Sequence, residues 1–222
     1  HGVLNTDNIT ITGESFDYGP YRFLPNYDPG FTAAYFDETG LYAYGRQPNA
    51  VLWNLYRLAE TLSLVAPVEK LKEALSRFDD AFTTQLGASV VWRLGLEPRS
   101  PDQDATLADK LFMFLKAASA PFEQVMFDWR GGFARKEKAL AGPAGALYRG
   151  EAFESLERAL ADYEPAPSST EAEAYFSGER PVTLLYDEIE ALWAAIAERD
   201  DWSQFEEKLA AIDLVREAYG VA

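Results

Sequence analysis

From Pro48 to Tyr219, apolar residues recur at the intervals typical of α-helices, and this pattern is the feature that most constrains the fold of the chain. In each segment, apolar residues recur every three or four positions, as they do on one face of an amphipathic helix. Pro48 and Pro67 suit the first turns of two helices, and Gly95 suits the end of one. The apolar positions are Leu52, Leu55, Leu58, Ala59, Leu62, then Val68, Leu71, Leu75, Phe78, Phe82, then Leu107, Leu111, Phe114, Leu115, and finally Leu185, Ile189, Leu192, Trp193 and Ile196.

The boundaries of the later helices can be predicted from turn-forming residues. Asp104 is predicted to cap a third helix, and Gly87 is a candidate kink within the second. Further helices are predicted at residues 121–129 and at about residues 151–163. Residues 164–178, which include Pro-Ala-Pro-Ser-Ser-Thr, are the most linker-like part of the chain.

The first 47 residues have a different pattern. Ile9–Thr12 are β-branched, with alternating character, which favours a strand. Gly13-Glu14 would form the turn and Ser15-Phe16 would begin the return strand. Residues 18–47 are rich in Gly, Pro, Tyr and Asp and predict an ordered, aromatic-anchored loop.

These patterns together predict a mainly α fold with a small β-hairpin. Residues 1–47 would carry the functional loop, hairpin and aromatic loop, and residues 48–222 would form a helical lobe. The chain starts with His inside a motif, and we therefore expect it to be a processed or truncated part of a longer protein.

Composition excludes several classes of function. The net charge is -16, so a nucleic-acid backbone would be repelled. The chain has no cysteine, which excludes disulfides and thiolate chemistry, and its single His excludes a His cluster for a transition metal. No apolar run reaches 18 residues, so no transmembrane helix is predicted.

A candidate transfer site lies at the start of the chain. Transfer from ATP needs a divalent cation on hard oxygen ligands and a carboxylate to accept a hydroxyl proton. His1 and Asn8 have the separation of the His and Asn in the His-Arg-Asp-x-x-x-x-Asn loop of protein kinases, and Asp17-Tyr-Gly follows where Asp-Phe-Gly would. Val3 replaces the usual catalytic Asp, and a carboxylate appears instead at Asp7. On spacing alone, turn capping by these Asn and Asp residues explains the pattern equally well.

A longer string of residues resembles one family. His1-Gly-Val-Leu-Asn-Thr-Asp-Asn8 with Asp17-Tyr-Gly-Pro-Tyr, then Gly40-Leu-Tyr-Ala-Tyr and Trp53-Asn-Leu-Tyr-Arg-Leu-Ala59, are similar to blocks of the selenoprotein O family, also called YdiU. The resemblance is specific over residues 1–60, thin to about residue 130 and hardly visible beyond. It implies a protein-kinase-like fold, of which this chain would be the C-terminal lobe, with the N-terminal lobe absent before His1.

The resemblance also implies an activity and roles for individual residues. Family members are understood to transfer AMP from ATP to hydroxyls of proteins. Asp7 would be the general base, Asn8 and Asp17 would bind Mg²⁺ (Mn²⁺ is an alternative), and Asp17 would also contact the nucleotide. The expected partners are ATP and proteins bearing Ser, Thr or Tyr, with neither nucleic acid nor membrane. The expected location is the cytoplasm of a bacterium, or the mitochondrion in a eukaryote.

Two departures from the family pattern stand out. The N-terminal lobe would supply nucleotide-binding Lys and Arg residues, so we expect the isolated chain to bind ATP weakly and to be inactive. Family members usually have His-Ser-Asp near the position of Tyr35-Phe36-Asp37, so contacts of this loop would differ.

Two other functions remain open at this stage. A conventional kinase or small-molecule phosphotransferase is disfavoured by Val3, since such enzymes usually have Asp there. A non-catalytic pseudokinase that binds nucleotide or proteins is disfavoured by the presence of Asp7, Asn8 and Asp17 together.

Overall fold

The computed structural model describes residues 1–14 and 19–221, and it is mainly helical. Proline or serine precedes or opens several helices, and the described residues form no β-strand beyond single bridge positions. The α-helices are α1 (Gln47–Leu62), α2 (Val68–Leu75), α3 (Phe78–Arg93), α4 (Pro101–Ala118), α5 (Phe122–Asp128), α6 (Lys136–Ala141), α7 (Glu154–Leu160), α8 (Thr170–Phe176), α9 (Tyr186–Arg199) and α10 (Ser203–Tyr219). Short 3-10 helices span Tyr44–Arg46, Gly132–Arg135, Leu147–Arg149 and Glu151–Phe153.

The chain divides into two compact units. The first contains residues 1–22 and 28–85, and the second contains residues 23–27 and 86–222. No helix formed by the described residues combines the length and the apolar character needed to cross a bilayer.

The predicted first strand of the hairpin is wrong for most of its length. Ile11 and Thr12 lie in a turn, which is closed by a hydrogen bond from the Thr10 amide to the Glu14 carbonyl at 2.9 Å. The Thr10 hydroxyl also donates to the Glu14 carbonyl at 3.1 Å. Local hydroxyl-to-backbone bonds of this kind compete with a strand ladder, and a four-residue run is too short to outweigh them. Ser15 and Phe16, the predicted return strand, lie outside the described residues.

The first unit contains the helix predicted from Pro48. That helix is α1, which has Pro48 in its first turn, as predicted. The next predicted helix divides into α2 and α3 at Ser76, because the Arg77 amide bonds to the Ala74 carbonyl at 3.3 Å, three residues back rather than four. A single apolar stripe in the sequence thus covers two helices.

The second unit is built around α4, whose apolar face is buried as predicted. Its predicted cap is wrong: Ser100 caps α4, in a reciprocal capping box with Gln103. Asp104 is instead buried one turn further on, where it accepts hydrogen bonds from the Arg99 amide at 3.1 Å and the Tyr163 hydroxyl at 2.8 Å. Around α4 the largest fully buried side chains of this unit include Leu107, Leu111, Phe114, Leu115, Met126, Trp129, Phe153, Leu156 and Leu160.

Glycine has two distinct roles along α3. Gly87 lies within the helix, where a Cβ atom would be 2.7 Å from the backbone nitrogen of Ala105, so it permits a close helix contact rather than a kink. Gly95 has φ of +58° just after α3, which confirms its predicted terminating role.

The last third of the chain forms α8, α9 and α10. Residues 170–176 lie within the stretch predicted to be linker-like, yet they form α8, with Phe176 buried. The Leu96 and Pro165 backbones form an antiparallel bridge, which fixes the start of the same stretch. The residues beyond 182, for which the sequence predicts one or two helices, form α9 and α10.

Candidate functional site

Residues 1–8 form a loop, here called the Asp7 loop, that α1 holds by its backbone carbonyls. The Gln47 side-chain amide donates to the His1 carbonyl at 3.1 Å and to the Tyr42 carbonyl at 3.3 Å. About two turns later, the Asn54 amide donates to the Leu4 carbonyl at 3.0 Å. Asn54 is only 8% exposed, so its amide is a fixed donor. A regular helix therefore sets the position of an irregular loop.

Close backbone packing fixes the beginning of the Asp7 loop. The Gly2 amide donates to the Pro20 carbonyl at 2.6 Å. A Cβ atom on Gly2 would lie 2.9 Å from both the Ala34 nitrogen and the Pro20 oxygen. Since these are backbone atoms, they cannot rotate away, and only glycine fits here.

Asn8 is oriented by the loop itself. Its side-chain Nδ2 donates to the Val3 carbonyl at 2.7 Å, and its backbone amide donates to the Asn5 carbonyl at 3.2 Å. Within the described part of the chain, the Asn8 Oδ1 atom accepts no hydrogen bond. The arrangement fixes the amide and leaves its oxygen as a hard donor for a cation.

Asp7 lies beside Asn8 with an exposed side chain. Its backbone amide donates to the Asn5 Oδ1 atom at 3.0 Å, which forms a local turn. The carboxylate is thereby presented on a constrained backbone and can accept a proton from an incoming hydroxyl.

Asp17, the second predicted metal ligand, lies outside the described residues. The chain on both sides of it is fixed against the first unit, by the Thr10–Glu14 turn and by the Gly2–Pro20 hydrogen bond. Among residues 1–14 and 19–221, no group of three or more His, Asp or Glu side chains could hold a metal ion. The described structure thus places Asp7 and Asn8 on one loop and leaves the contribution of Asp17 a prediction.

His1 has the structural role that the kinase-like pattern suggests. Its Nδ1 atom accepts a hydrogen bond from the Val3 amide at 3.1 Å. Val3 itself, at the position of the usual kinase aspartate, is half-buried. The imidazole nitrogen is used within the loop, which agrees with a loop contact rather than a metal ligand.

The aromatic loop is ordered mainly by Asp37. Its carboxylate accepts from the Leu41 and Tyr42 amides, both at 2.8 Å. Burial alone would raise the pKa of Asp37, but these amide hydrogen bonds outweigh it and hold the pKa below its usual range. The neighbouring Tyr35 is 92% exposed and available to a partner.

Two arginines of the first unit that could meet a phosphate, Arg46 and Arg57, have structural contacts instead. Arg46 donates from Nη1 to the Thr39 and Gly40 carbonyls at 3.0 and 3.1 Å. Arg57 pairs with Glu60 at 2.9 Å, as expected for a chain rich in carboxylates. The guanidinium groups of Arg46 and Arg57, which could otherwise bind a phosphate, are therefore already paired with loop carbonyls and with a carboxylate.

A largely apolar groove of about 670 Å³ lies between the Asp7 loop and α1. Buried at its wall, the Asn54 Oδ1 atom has no hydrogen-bond partner among the described residues. The apolar lining comes mainly from Leu4, Ile9, Ile11, Val51, Leu55 and Leu58.

Sequence reasoning missed Gln47 and Asn54 as residues that hold the Asp7 loop. They contact the loop across 46 and 50 positions, a separation that no local pattern reveals. A usable signal exists for Asn54, because it is a polar residue next to the apolar stripe of α1. A buried polar side chain needs a partner, and here the partner is the functional loop.

Comparison with known proteins identifies the family of the chain. The family model for protein adenylyltransferase SelO matches residues 1–213, well beyond the region where the resemblance is evident by inspection. A protein nucleotidyltransferase YdiU of Gloeobacter violaceus is 39% identical over the whole chain and 47% of its own length. The YdiU of Synechocystis is 36% identical over 92% of the chain and 45% of its length. That of Salmonella paratyphi B is 40% identical over 54% of the chain and 25% of its length.

The chain spans about half the length of the bacterial relatives that it matches most fully. The family match begins at His1 and includes the Asp7 loop, α1 and most of the second unit. From the extent of this match and the identities of the relatives, the chain belongs to the SelO family.

Proposed function

We propose that the protein containing this chain transfers AMP from ATP to Ser, Thr or Tyr hydroxyls of other proteins, and that the Asp7 loop carries out the transfer. The observation that supports this most directly is the pairing of an exposed carboxylate on Asp7 with the oriented amide of Asn8. The family match and the printed names of the relatives point to nucleotidyl transfer.

Asp7 accepts the proton in the proposed reaction. The substrate hydroxyl oxygen attacks the α-phosphorus of ATP and its proton moves to the Asp7 carboxylate. The bond between the α-phosphorus and the bridging oxygen breaks, and pyrophosphate leaves. The constrained Asp7 backbone supports this role, because general-base catalysis requires a carboxylate within hydrogen-bond reach of the hydroxyl.

Asn8 and Asp17 are the proposed ligands for Mg²⁺. The Oδ1 atom of Asn8 fits that role, since it accepts no hydrogen bond from the described residues and Nδ2 is already used by the Val3 carbonyl. A divalent cation bound there would neutralise charge on the phosphates. Gln47 and Asn54 are proposed as positioning residues, because they fix the carbonyls of the loop that bears both groups.

Labelling with two forms of ATP tests the proposal. In the full-length protein with Mg²⁺, ATP labelled at the α-phosphate should transfer its label to protein, and ATP labelled at the γ-phosphate should not. The opposite result would favour a conventional kinase or phosphotransferase. Absence of either label, with nucleotide still bound, would favour a non-catalytic binding protein.

Dependence on the metal is tested in the same assay. Excess EDTA should abolish transfer of the α-label, and Mg²⁺ should restore it. The Asn8→Ala variant should need a higher Mg²⁺ concentration for half-maximal transfer, by about tenfold. Asn49→Ala, on the exposed face of α1, is the matched control and should leave the requirement unchanged.

A further inference from the structure

A polar cleft in the second unit, here called the Arg130 cleft, collects positive charge in a strongly acidic chain. It has a volume of about 590 Å³. Three cations, Arg130, Arg135 and Lys138, line it, against the single carboxylate of Glu173. Because the chain as a whole carries a charge of -16, this local excess of cations is unusual.

Arg130 is fixed within the cleft before any ligand binds. Its Nη1 atom donates to the Trp92 and Arg93 carbonyls at 2.7 and 3.0 Å. Its guanidinium carbon lies 4.9 and 4.8 Å from the ring centroids of Phe176 and Tyr219. In the described structure, the Arg130 Nη2 atom donates to no acceptor. A guanidinium held in this way loses little entropy when its remaining donors bind an anion.

Gly95 leaves space for this arginine. A Cβ atom at Gly95 would lie 2.6 Å from the Arg130 Nε atom, and the glycine has φ of +58°. The same residue therefore ends α3 and admits the guanidinium.

Arg135 and Lys138 are oriented by the end of α8. Both donate to the Phe176 carbonyl, and Lys138 also donates to the Gly178 carbonyl at 2.7 Å. Burial lowers the pKa of Lys138, and repulsion by Arg135 lowers it further, against the attraction of the Asp128, Glu173 and Glu179 carboxylates. The Arg135 side chain is only 17% exposed, and water therefore screens it incompletely.

The one carboxylate that lines the cleft pairs only weakly with its cations. Glu173 reaches the Arg135 Nη1 atom only at 3.9 Å, and its side chain is 64% exposed. Such a pair contributes little. The Ser168 hydroxyl also lines the cleft, and among the described residues it has no hydrogen-bond partner.

We infer that the Arg130 cleft is a binding site for a phosphate-bearing anion, held by Arg130, Arg135, Lys138 and the Ser168 hydroxyl. Two guanidinium groups and an ammonium group suit a ligand with at least two negative charges and several acceptor oxygens. The inference is independent of the proposed AMP transfer, since it concerns a different unit of the chain.

Calorimetric titration of the full chain tests the inference. The probes are inorganic pyrophosphate and O-phosphoserine, in EDTA at constant ionic strength. Saturable binding of either probe is expected, and Arg135→Gln should weaken it about tenfold. Tighter binding of pyrophosphate would identify a free anion, and tighter binding of O-phosphoserine would identify a phosphorylated side chain. Lys136→Gln is the matched control, because Lys136 pairs with Glu157 at 2.7 Å and does not line the cleft.

A second variant should have an effect of opposite sign, and it leaves the hydrogen bonds from the cations to backbone carbonyls in place. Glu173→Gln removes the competing carboxylate, so it should tighten binding about twofold to threefold. The control is Glu190→Gln, which removes an exposed charge on α9 and should leave the affinity unchanged. Absence of saturable binding, or equal affinity in Arg135→Gln, Glu173→Gln and both controls, would overturn the inference.

Discussion

The two units are stabilised in different ways, and the difference shows where function can reside. In the second unit, large aromatic side chains are fully buried, with the rings of Trp129 and Phe153 packed at a tilt and their centroids 4.8 Å apart. In the described part of the first unit, the fully buried apolar residues are only Ala34 and Ala43. Its Asp7 loop is held by hydrogen bonds to backbone carbonyls instead.

This contrast separates stability from positioning. Buried aromatic surface is non-directional and stabilises a unit as a whole. Hydrogen bonds from Gln47 and Asn54 are directional and fix particular carbonyls, with little apolar area behind them. The proposed site, which would present Asp7 and Asn8 to a substrate, would benefit from the second kind of contact.

The largest expected effect tests the packed core of the second unit. Phe153→Ala removes a side chain that is 1% exposed and contacts Phe114, Trp129 and Tyr148. The free energy of unfolding should fall by about 3–5 kcal/mol, because a cavity remains. Urea denaturation followed by tryptophan fluorescence measures it.

The control for this variant is Met113→Ala, also a large apolar residue of the second unit but 62% exposed. It should cost about 0.5 kcal/mol or less. Equal losses in the two variants would show that burial does not govern the stability of this unit.

An intermediate effect tests the carbonyl contacts of the first unit. Asn54→Ala removes the donor to the Leu4 carbonyl and should cost about 1 kcal/mol. The loss should be local: amide hydrogen exchange should accelerate in residues 2–8 and stay unchanged in α4. Asn49→Ala, exposed on the same helix, should leave exchange in both regions as in the wild type. Uniform acceleration over both units would contradict the assignment.

The smallest effect is the dependence of folding stability on pH, which has opposite signs in the two units. The folded pKa of Asp37 is lowered, so its contribution to stability is present above its unfolded pKa of about 3.9 and is lost as pH falls through the folded pKa. Burial raises the pKa of Asp128, despite hydrogen bonds from Tyr148 and Gln124. Its contribution is therefore present below its unfolded pKa and is lost as pH rises through the folded value.

Titration by NMR separates the two carboxylates. Asp37→Asn should remove the acid-dependent shift of the Leu41 and Tyr42 amides. Asp128→Asn, which is nearly isosteric, should remove part of the stability loss that occurs with rising pH, as followed by thermal denaturation. A stability profile unchanged in both variants would show that neither group is linked to folding.

Sequence alone predicted the elements whose signals are local. The helix from Pro48, the helix ended by Gly131-Gly132 and the terminating role of Gly95 all follow from spacing and backbone preference. Asp104 was assigned as a cap because its type suits that position, but Ser100, with Gln103 three residues later, fits better. The choice between them requires the buried Tyr163 hydroxyl, which lies 59 positions away.

In the candidate site, too, some features are predictable from a local motif and others are not. Asp7 and Asn8 could be chosen from a motif, because the motif is a contiguous stretch. The contacts that position them could not be predicted from a motif, since Asn54 contacts Leu4 only after the chain has folded. The strand predicted over Ile9–Thr12 is wrong for most of its length for the related reason that Thr10 has a local alternative in the Glu14 carbonyl.

The measurement that tests the central claim most directly is the rate of AMP transfer by the Asp7→Asn variant of the full-length protein. With ATP labelled at the α-phosphate and Mg²⁺, kcat should fall by roughly 10²- to 10⁴-fold, because the general base is lost. The affinity for Mg²⁺-ATP should remain within about twofold, since Asp7 is not a proposed metal ligand. Asp80→Asn, an exposed change on α3, is the control. A kcat that is unchanged in Asp7→Asn would contradict the assignment of Asp7 as the base.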